Sequence, residues 1–132
     1  MYVLDTFAIL AYFLAEPGGE KVKELLRRAE NGEISLAMSF INVGEAFYVL
    51  SREQGRAKAQ SLLEDFRSLS IQFFDATEDR ILAAAWLKAE YQISYADAFA
   101  ASLAQELGAS LVTGDPEFKN IKDELSVFWL EK

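Results

Sequence analysis

The segment SYADAFAASLAQELGASLVTGD, residues 94–115, carries the pattern that decides the fold. Ser94 is of a type that caps helices, and the apolar stretch after it predicts a helix that Gly108 ends. Leu111-Val112-Thr113 then predicts a short buried strand. Asp115 follows that strand after a single glycine. The segment therefore predicts a helix and a buried strand that leads directly to an acidic residue.

The same alternation of helix and strand extends over the rest of the chain. The predicted strands cover residues 2–4, 34–37, 71–74, 111–113 and 127–130. Predicted helices cover residues 6–14, 39 to about 52, 77 to about 91 and 94–107. Apolar residues at helical spacing between Val22 and Ala29 predict a further helix that Asn31-Gly32 ends, and those between Ala59 and Leu69 predict another that begins after Gly55. Strands that alternate with helices of this length predict right-handed crossovers and a parallel sheet covered on both faces. We take the strand order to be 3-2-1-4-5.

The composition limits the chemistry that this chain can perform. The 132 residues contain no linker or repeat and predict a single domain over 1–132, and 52% hydrophobic residues are typical of a globular protein. The absence of cysteine excludes disulfides and thiolate metal sites. The absence of histidine excludes Ser-His-Asp and Cys-His systems and the common zinc sites. Any reaction must therefore use carboxylates, hydroxyls, lysines, arginines or backbone amides.

The net charge of −8 argues against non-specific binding to nucleic acid, which normally needs clustered cations. A divalent ion held by carboxylates could still attract a phosphate, because the ion is then the largest local charge. The apolar run at residues 2–14 is interrupted by Asp5 and is too short to span a bilayer. A soluble cytoplasmic protein is therefore the expectation.

Four acidic side chains are expected to meet at one edge of the sheet. Ligands of open parallel sheets bind beyond the carboxyl ends of the strands, where the strand order reverses. Asp5 follows strand one and Asp115 follows strand four, and these strands are neighbours in the order 3-2-1-4-5. Asp97 lies in the first turn of the helix before strand four, and Glu45 lies in the second turn of the helix after strand two. We therefore expect these carboxylates to line a single crevice.

Each acid also has a purely structural interpretation. Asp5 and Asp115 could simply cap helices. Asp97 could be stabilised by the positive end of the helix dipole, and Glu45 could lie on a polar stripe. These interpretations leave the isolation of the charges unexplained, because Asp97 is the sole charged residue between positions 91 and 104. Charges isolated in apolar surroundings usually need a partner or an ion. Asp75, which ends strand three, falls at the sheet edge in this order and is left out of the site.

Carboxylates that lie close together repel, so they must take up a proton or share a cation. Ligand sets made only of oxygen select Mg²⁺ or Mn²⁺, and such an ion can activate water for in-line attack on a phosphodiester. Thr113 could orient a carboxylate or a phosphate oxygen, or could be an ordinary β-branched strand residue. The cations nearest the crevice by sequence could contact phosphate or be solvated surface charges: Arg52, Arg56 and Lys119. The large aromatic residues are expected in the core: Phe73, Phe74, Trp86 and Trp129.

With these residues in view, the chain resembles the PIN-domain ribonucleases, and most closely the VapC toxins of VapBC toxin–antitoxin pairs. Four segments carry the resemblance: YVLDT at 2–6, NVGEA at 42–46, SYADA at 94–98 and TGDPEF at 113–118. Each segment alone is weak. In this order and at this spacing, over nearly the whole chain, they are specific.

The resemblance implies a three-layer α/β/α sandwich with a mostly parallel five-stranded sheet. It also implies a metal-dependent endoribonuclease, the toxin component of a type II pair, with Mg²⁺ or Mn²⁺ as cofactor and RNA as substrate. A homodimer and inhibition by a VapB-type antitoxin, whose C-terminal segment fills the site, are further implications. The family pattern places the catalytic metal ligands at Asp5, Glu45, Asp97 and Asp115, and supporting residues at Thr113, Asn42 and Glu117.

Three other functions are compatible with parts of this pattern. A PIN-like scaffold without activity could bind RNA or a protein. A receiver-like phospho-acceptor would use an acidic pocket and an aspartate placed like Asp75, but Thr6 stands where its second acid belongs and its lysine is not evident. A phosphatase with an Asp-x-Asp nucleophile is disfavoured, because position 7 is Phe7.

Overall fold

Five strands form the central sheet, in the order β3-β2-β1-β4-β5, within residues 1–130, the part of the chain that this computed structural model describes. Every neighbouring pair is parallel, which confirms the predicted order. Residues 131–132 lie outside the described part, and the single domain over 1–132 stays a prediction. The strands are β1 (Tyr2–Leu4), β2 (Leu36–Ser39), β3 (Gln72–Phe74), β4 (Ser110–Thr113) and β5 (Val127–Trp129).

The helices begin at the residues that the sequence marks as caps. The side chains of Ser39, Thr77 and Ser94 each accept a backbone N–H from the first turn of the helix that follows. Gly108, in the left-handed region at φ 60°, ends the sixth helix. No helix within residues 1–130 has the length and apolar character needed to cross a membrane. The helices are α1 (Thr6–Phe13), α2 (Gly19–Glu30), α3 (Phe40–Gln54), α4 (Arg56–Ser68), α5 (Glu78–Glu90), α6 (Tyr95–Leu107) and a 3₁₀ helix (Pro116–Glu124).

Helices cover both faces of the sheet, which gives three layers. Side chains alternate between the two faces along each strand. In β1, Leu4 packs into a core with α1 to α4, whereas Val3 packs into a second core with α5 and α6. Val112 and Leu111 of β4 divide in the same way. Both faces are therefore apolar, as in parallel sheets generally, and only the strand ends are free to carry polar groups.

The structure corrects two local expectations. The second strand covers Leu36–Ser39 rather than residues 34–37, because its bounds are set by pairing with β1 at Leu36 and with β3 at Ser39. The expectation that Trp86 and Trp129 lie in the core is wrong, since they are 72% and 38% exposed. Trp86 lies on the outer side of α5 and Trp129 lies on the edge strand β5. The other two aromatic residues predicted to lie in the core, Phe73 and Phe74, are half-buried in β3 at the opposite edge of the sheet.

Replacing Gly44 with alanine should stabilise the protein. Gly44 lies in the middle of α3, where a Cβ would meet no atom within 4 Å, so the change introduces no clash. Glycine inside a helix is less stable than alanine by about 0.5–1 kcal/mol, because it loses more backbone entropy on folding. We expect Gly44→Ala to raise the melting temperature by about 3 °C in thermal denaturation. An unchanged or lower melting temperature would contradict the open surroundings of Gly44.

Candidate active site

Asp5 lies at the carboxyl end of β1 and performs two tasks with its two carboxylate oxygens. Oδ1 accepts the backbone N–H of Ala8 at 2.8 Å, so Asp5 is the N-cap of α1. Oδ2 is buried and accepts no hydrogen bond from any residue that the structure describes. The side chain as a whole is 1% exposed. The capping interpretation is therefore correct for one oxygen only, and the other oxygen remains available to a ligand.

Asp115 follows β4 in a turn that fixes its orientation. The hydroxyl oxygen of Thr113, which is fully buried, accepts the backbone N–H of Asp115 at 3.0 Å. Asp115 Oδ1 accepts the backbone N–H of Glu117 at 2.9 Å. Strands β1 and β4 pair with Leu4 opposite Val112, so this turn and Asp5 lie at the same edge of the sheet. The predicted proximity of these two strand ends is confirmed.

Asp97 lies in the first turn of α6, where it is 8% exposed. Its backbone N–H donates to Ser94 Oγ at 3.1 Å, which is the cap that the sequence predicts. The backbone N–H of Ser94 donates to Glu117 Oε1 at 2.6 Å, so an acid from the turn after β4 holds the start of α6. Glu117 also contacts the carboxyl group of Asp97.

Asn42 joins the three helices that begin around the crevice. It is fully buried, and its Nδ2 donates to Thr6 Oγ1 and to the backbone oxygen of Ala96, each at 3.1 Å. The Thr6 hydroxyl donates in turn to the backbone oxygen of Asn42 at 3.4 Å. These bonds link the N-terminal turns of α1, α3 and α6, which lie next to Asp5, Glu45 and Asp97. This hydrogen-bonding role of Thr6 was not predicted from the sequence, although a polar residue within the apolar run 2–14 indicates a polar contact.

The acids act on one another electrostatically. Burial raises the pKa of Asp5 to about 7; the hydroxyl of Thr113 and the N–H of Ala8 oppose this rise, and the charges of Asp115 and Glu45 add to it. Burial also raises the pKa of Asp97 to about 8, with further contributions from contact with Glu117 and from the charges of Asp115 and Asp5. All four predicted acids, together with Glu117, therefore belong to one electrostatic cluster.

The cluster is suited to a hard cation in its chemistry, although it does not form a complete coordination shell. Its donors are oxygens, and the buried Asp5 Oδ2 has no hydrogen-bond partner within the described part of the chain. Within the described residues no group of three or more acids is arranged to hold a metal ion. The oxygen ligand set and the unpartnered Asp5 Oδ2 are the features that fit a divalent ion.

The three candidate phosphate-binding cations are exposed: Arg52, Arg56 and Lys119. The Arg52 guanidinium lies 5.2 Å from the centroid of the Tyr48 ring, two turns of α3 beyond Glu45. Their contact with a substrate stays a prediction. Asp75 is exposed beyond β3, the edge strand, and is separated from β1 by β2. Its exclusion from the site agrees with this placement.

The protein is thus a three-layer α/β protein with a carboxylate cluster at the topological switch point of its sheet. The sequence matches the profile of the PIN domain over residues 2–124. The chain belongs to the PIN domain family. No curated relative matches the chain by sequence.

Several solved structures share this architecture. The chain is similar to VapBC2 from Rickettsia felis, solved bound to a DNA fragment from their promoter, with 25% identity, 98% of each chain covered and a TM-score of 0.75. It is also similar to VapBC-1 from nontypeable Haemophilus influenzae, with 24% identity, 97% and 96% coverage and a TM-score of 0.71. VapC20 from Mycobacterium tuberculosis, a Sarcin-Ricin loop cleaving toxin, matches with 19% identity, 90% and 93% coverage and a TM-score of 0.70. The structural neighbours are thus VapC toxins of VapBC systems.

Asp97→Asn should raise the melting temperature of the metal-free protein, and the increase should depend on pH. Because the pKa of Asp97 is about 8 in the folded chain, the folded state retains a proton that the unfolded state releases near pH 4. Wild-type stability therefore falls as the pH rises from 4 to 8, whereas asparagine has no proton to lose. We expect a difference of about 5 °C at pH 8 and little difference at pH 4.

Asp65→Asn, at an exposed position of α4, is the matched control and should show no such dependence. The measurement is thermal denaturation with a chelator at a series of pH values. Parallel pH curves for wild type and Asp97→Asn would contradict the raised pKa of Asp97.

Proposed function

We propose that this chain is a Mg²⁺- or Mn²⁺-dependent endoribonuclease that hydrolyses RNA phosphodiester bonds. The observation that carries the proposal is the buried carboxylate of Asp5, which has an unpartnered oxygen and a pKa raised to about 7 beside other acids. A buried charge without a partner is costly, and a cation would remove that cost. In this proposal the ion is held by Asp5, Glu45, Asp97 and Asp115.

The chemistry follows from the side chains that are present. A bound divalent ion supplies an activated water for in-line attack and stabilises the leaving oxygen, so no histidine is required. Asp5 offers Oδ2 to the ion while Oδ1 keeps α1 in place. Thr113 holds the turn that carries Asp115, and Glu117 holds the start of the helix that carries Asp97. The protein thereby orients its acids before the ion arrives.

Asn42 stabilises the same site through hydrogen bonds to two neighbouring helices. Its bond to Thr6 is buried and its bond to the backbone of Ala96 is partly buried, and both join elements that are far apart in the sequence. A buried amide that is paired on both donor hydrogens holds its partners in a single arrangement. Asn42 therefore limits relative movement of the helices that begin at the crevice.

We further propose that the chain is the toxin component of a type II toxin–antitoxin pair, that it forms a homodimer, that a VapB-type antitoxin inhibits it, and that it acts in the cytoplasm. The support is the similarity to chains solved as VapBC complexes, which extends over nearly the full length of both proteins. The acidic net charge of −8 means that RNA must be drawn in by the metal and by local cations such as Arg52 rather than by the whole surface.

A receiver-like function does not suit this architecture. Receiver domains of the flavodoxin-like type have the strand order 2-1-3-4-5, whereas this sheet has the order 3-2-1-4-5. Asp75, the residue that would complete a receiver pocket, is exposed beyond an edge strand. The remaining alternative is a scaffold with this fold that binds RNA or protein without cleaving it.

Asp5→Asn should abolish RNA cleavage while leaving the fold intact. Asparagine can still cap α1 through its side-chain oxygen, but it cannot contribute a negative charge to a metal. We expect cleavage of mixed RNA substrates with Mn²⁺ to fall by about 100-fold or more, as it does when a transition-state stabilising group is removed. EDTA should abolish the activity of the wild type.

Asp65→Asn serves as the control, because it removes a negative charge from an exposed site on α4. The wild-type melting temperature should also rise with added Mn²⁺, and this rise should be smaller in Asp97→Asn. Cleavage that persists in EDTA, or that is undiminished in Asp5→Asn, would rule out the mechanism. Binding of Mn²⁺ and RNA without any cleavage would favour the inactive scaffold.

A further inference from the structure

Phe7 and Gly114 are in direct contact, although they lie near opposite ends of the sequence. Gly114 is buried between Thr113 and Asp115. A Cβ built on Gly114 would lie 2.7 Å from Cζ of Phe7, and closer still to its Cε1. Real Cβ atoms do not approach other atoms so closely, so any side chain at this position would force a displacement. The backbone of Gly114 is not in the positive-φ region. Glycine is therefore needed here for space and not for conformation.

The ring of Phe7 is held by packing on one side. Phe7 lies in the first turn of α1, where its half-buried ring packs against the core formed with α1 to α4, so displacing the ring would disturb that packing. Its backbone is two residues from Asp5, which caps the same helix. A displacement of the start of α1 would therefore move Phe7 and Asp5 together.

The other side of the contact is the turn that carries Asp115. The orientation of Asp115 depends on two hydrogen bonds within this turn, from its own N–H to Thr113 Oγ1 at 3.0 Å and from Glu117 N–H to its Oδ1 at 2.9 Å. Gly114 lies in the middle of this turn. Displacement of Gly114 from Phe7 would therefore change where the Asp115 carboxylate lies relative to Asp5.

We infer that the packing of Phe7 on Gly114 is a positioning contact that sets the separation between the Asp5 and Asp115 carboxylates. This inference rests on the proposed function, because the separation matters only if both acids hold the same ion. Neither Phe7 nor Gly114 has a side-chain group that could bind a metal. They act through the backbone segments that carry the acids. A large residue at position 7 and the absence of a side chain at position 114 are thus complementary.

The test uses the full chain with the variants Gly114→Ala, Phe7→Leu and the double variant Phe7→Leu/Gly114→Ala. Phe7→Leu removes Cε1 and Cζ, which are the atoms nearest to a Cβ at position 114, and keeps an apolar side chain in the core. Gly44→Ala is the matched control: it adds the same methyl group beside another candidate acid, Glu45, in open space.

Two quantities are measured: the affinity for Mn²⁺ by calorimetry, and amide hydrogen exchange at Asp115 and Glu117 in metal-free buffer. We expect Gly114→Ala to weaken Mn²⁺ binding by about tenfold or more, as disturbed orientation of metal ligands commonly does, and to accelerate exchange at both amides. The double variant should recover to within about threefold of Phe7→Leu, because the two closest atoms of the ring are removed. Gly44→Ala should match the wild type in both measurements.

Either of two results would overturn the inference: Gly114→Ala with wild-type affinity and exchange, or a double variant as impaired as Gly114→Ala alone. If Gly114→Ala does not fold, recovery of folding and Mn²⁺ affinity in the double variant supports the inference, and its failure to recover refutes it. A wild-type chain that binds no Mn²⁺ would overturn the proposed function instead. The exchange rates would then decide by themselves whether the contact positions Asp115.

Discussion

The burial of the Asp5 carboxyl group is the constraint on which the rest of the site depends. Its position at the end of a central strand removes it from water, and its use of Oδ1 as a helix cap prevents it from turning away. Among the described residues no donor lies within hydrogen-bond distance of the second oxygen, although the Thr113 hydroxyl is near enough to the carboxyl group to lower its pKa. A group in this condition takes up a proton or binds a cation, and the raised pKa of Asp5 expresses the first of these. The same cost of burying an unpartnered charge also favours the binding of a cation.

The polar framework around the crevice holds acids near one another without the help of a cation. Buried hydrogen bonds from Asn42 connect α1, α3 and α6, while Thr113 and Glu117 order the turn after β4. The bonds made by Thr113 and Glu117 satisfy the backbone N–H groups of Asp115, just after a strand end, and of Ser94, at a helix start. The folded chain therefore offsets electrostatic repulsion at the site with capping interactions that it needs in any case. Several side chains that cap these helices and turns are therefore also part of the candidate site.

Most of the fold could be predicted because its signals are local. Ser39, Thr77 and Ser94 each mark a helix start by capping chemistry that acts within one turn. The errors fell where a residue's environment depends on elements far away in the sequence. Trp86 is apolar and lies in a helix, but nothing within that helix indicates that its side faces solvent. The bounds of β2 shifted because they depend on pairing with β1 and β3.

The sequence by itself determined the alternation of strands and helices, the parallel sheet, and the expectation that four acids meet at one edge: Asp5, Glu45, Asp97 and Asp115. It could do so because strand ends and helix starts follow from local pattern and from the rules of parallel sheets. Only the tertiary structure decided which carboxylate oxygen of Asp5 is left without a partner, and that Phe7 lies against Gly114. Both depend on small differences in interatomic distance between segments that are far apart in the sequence. Packing sets such distances, and no local pattern encodes them.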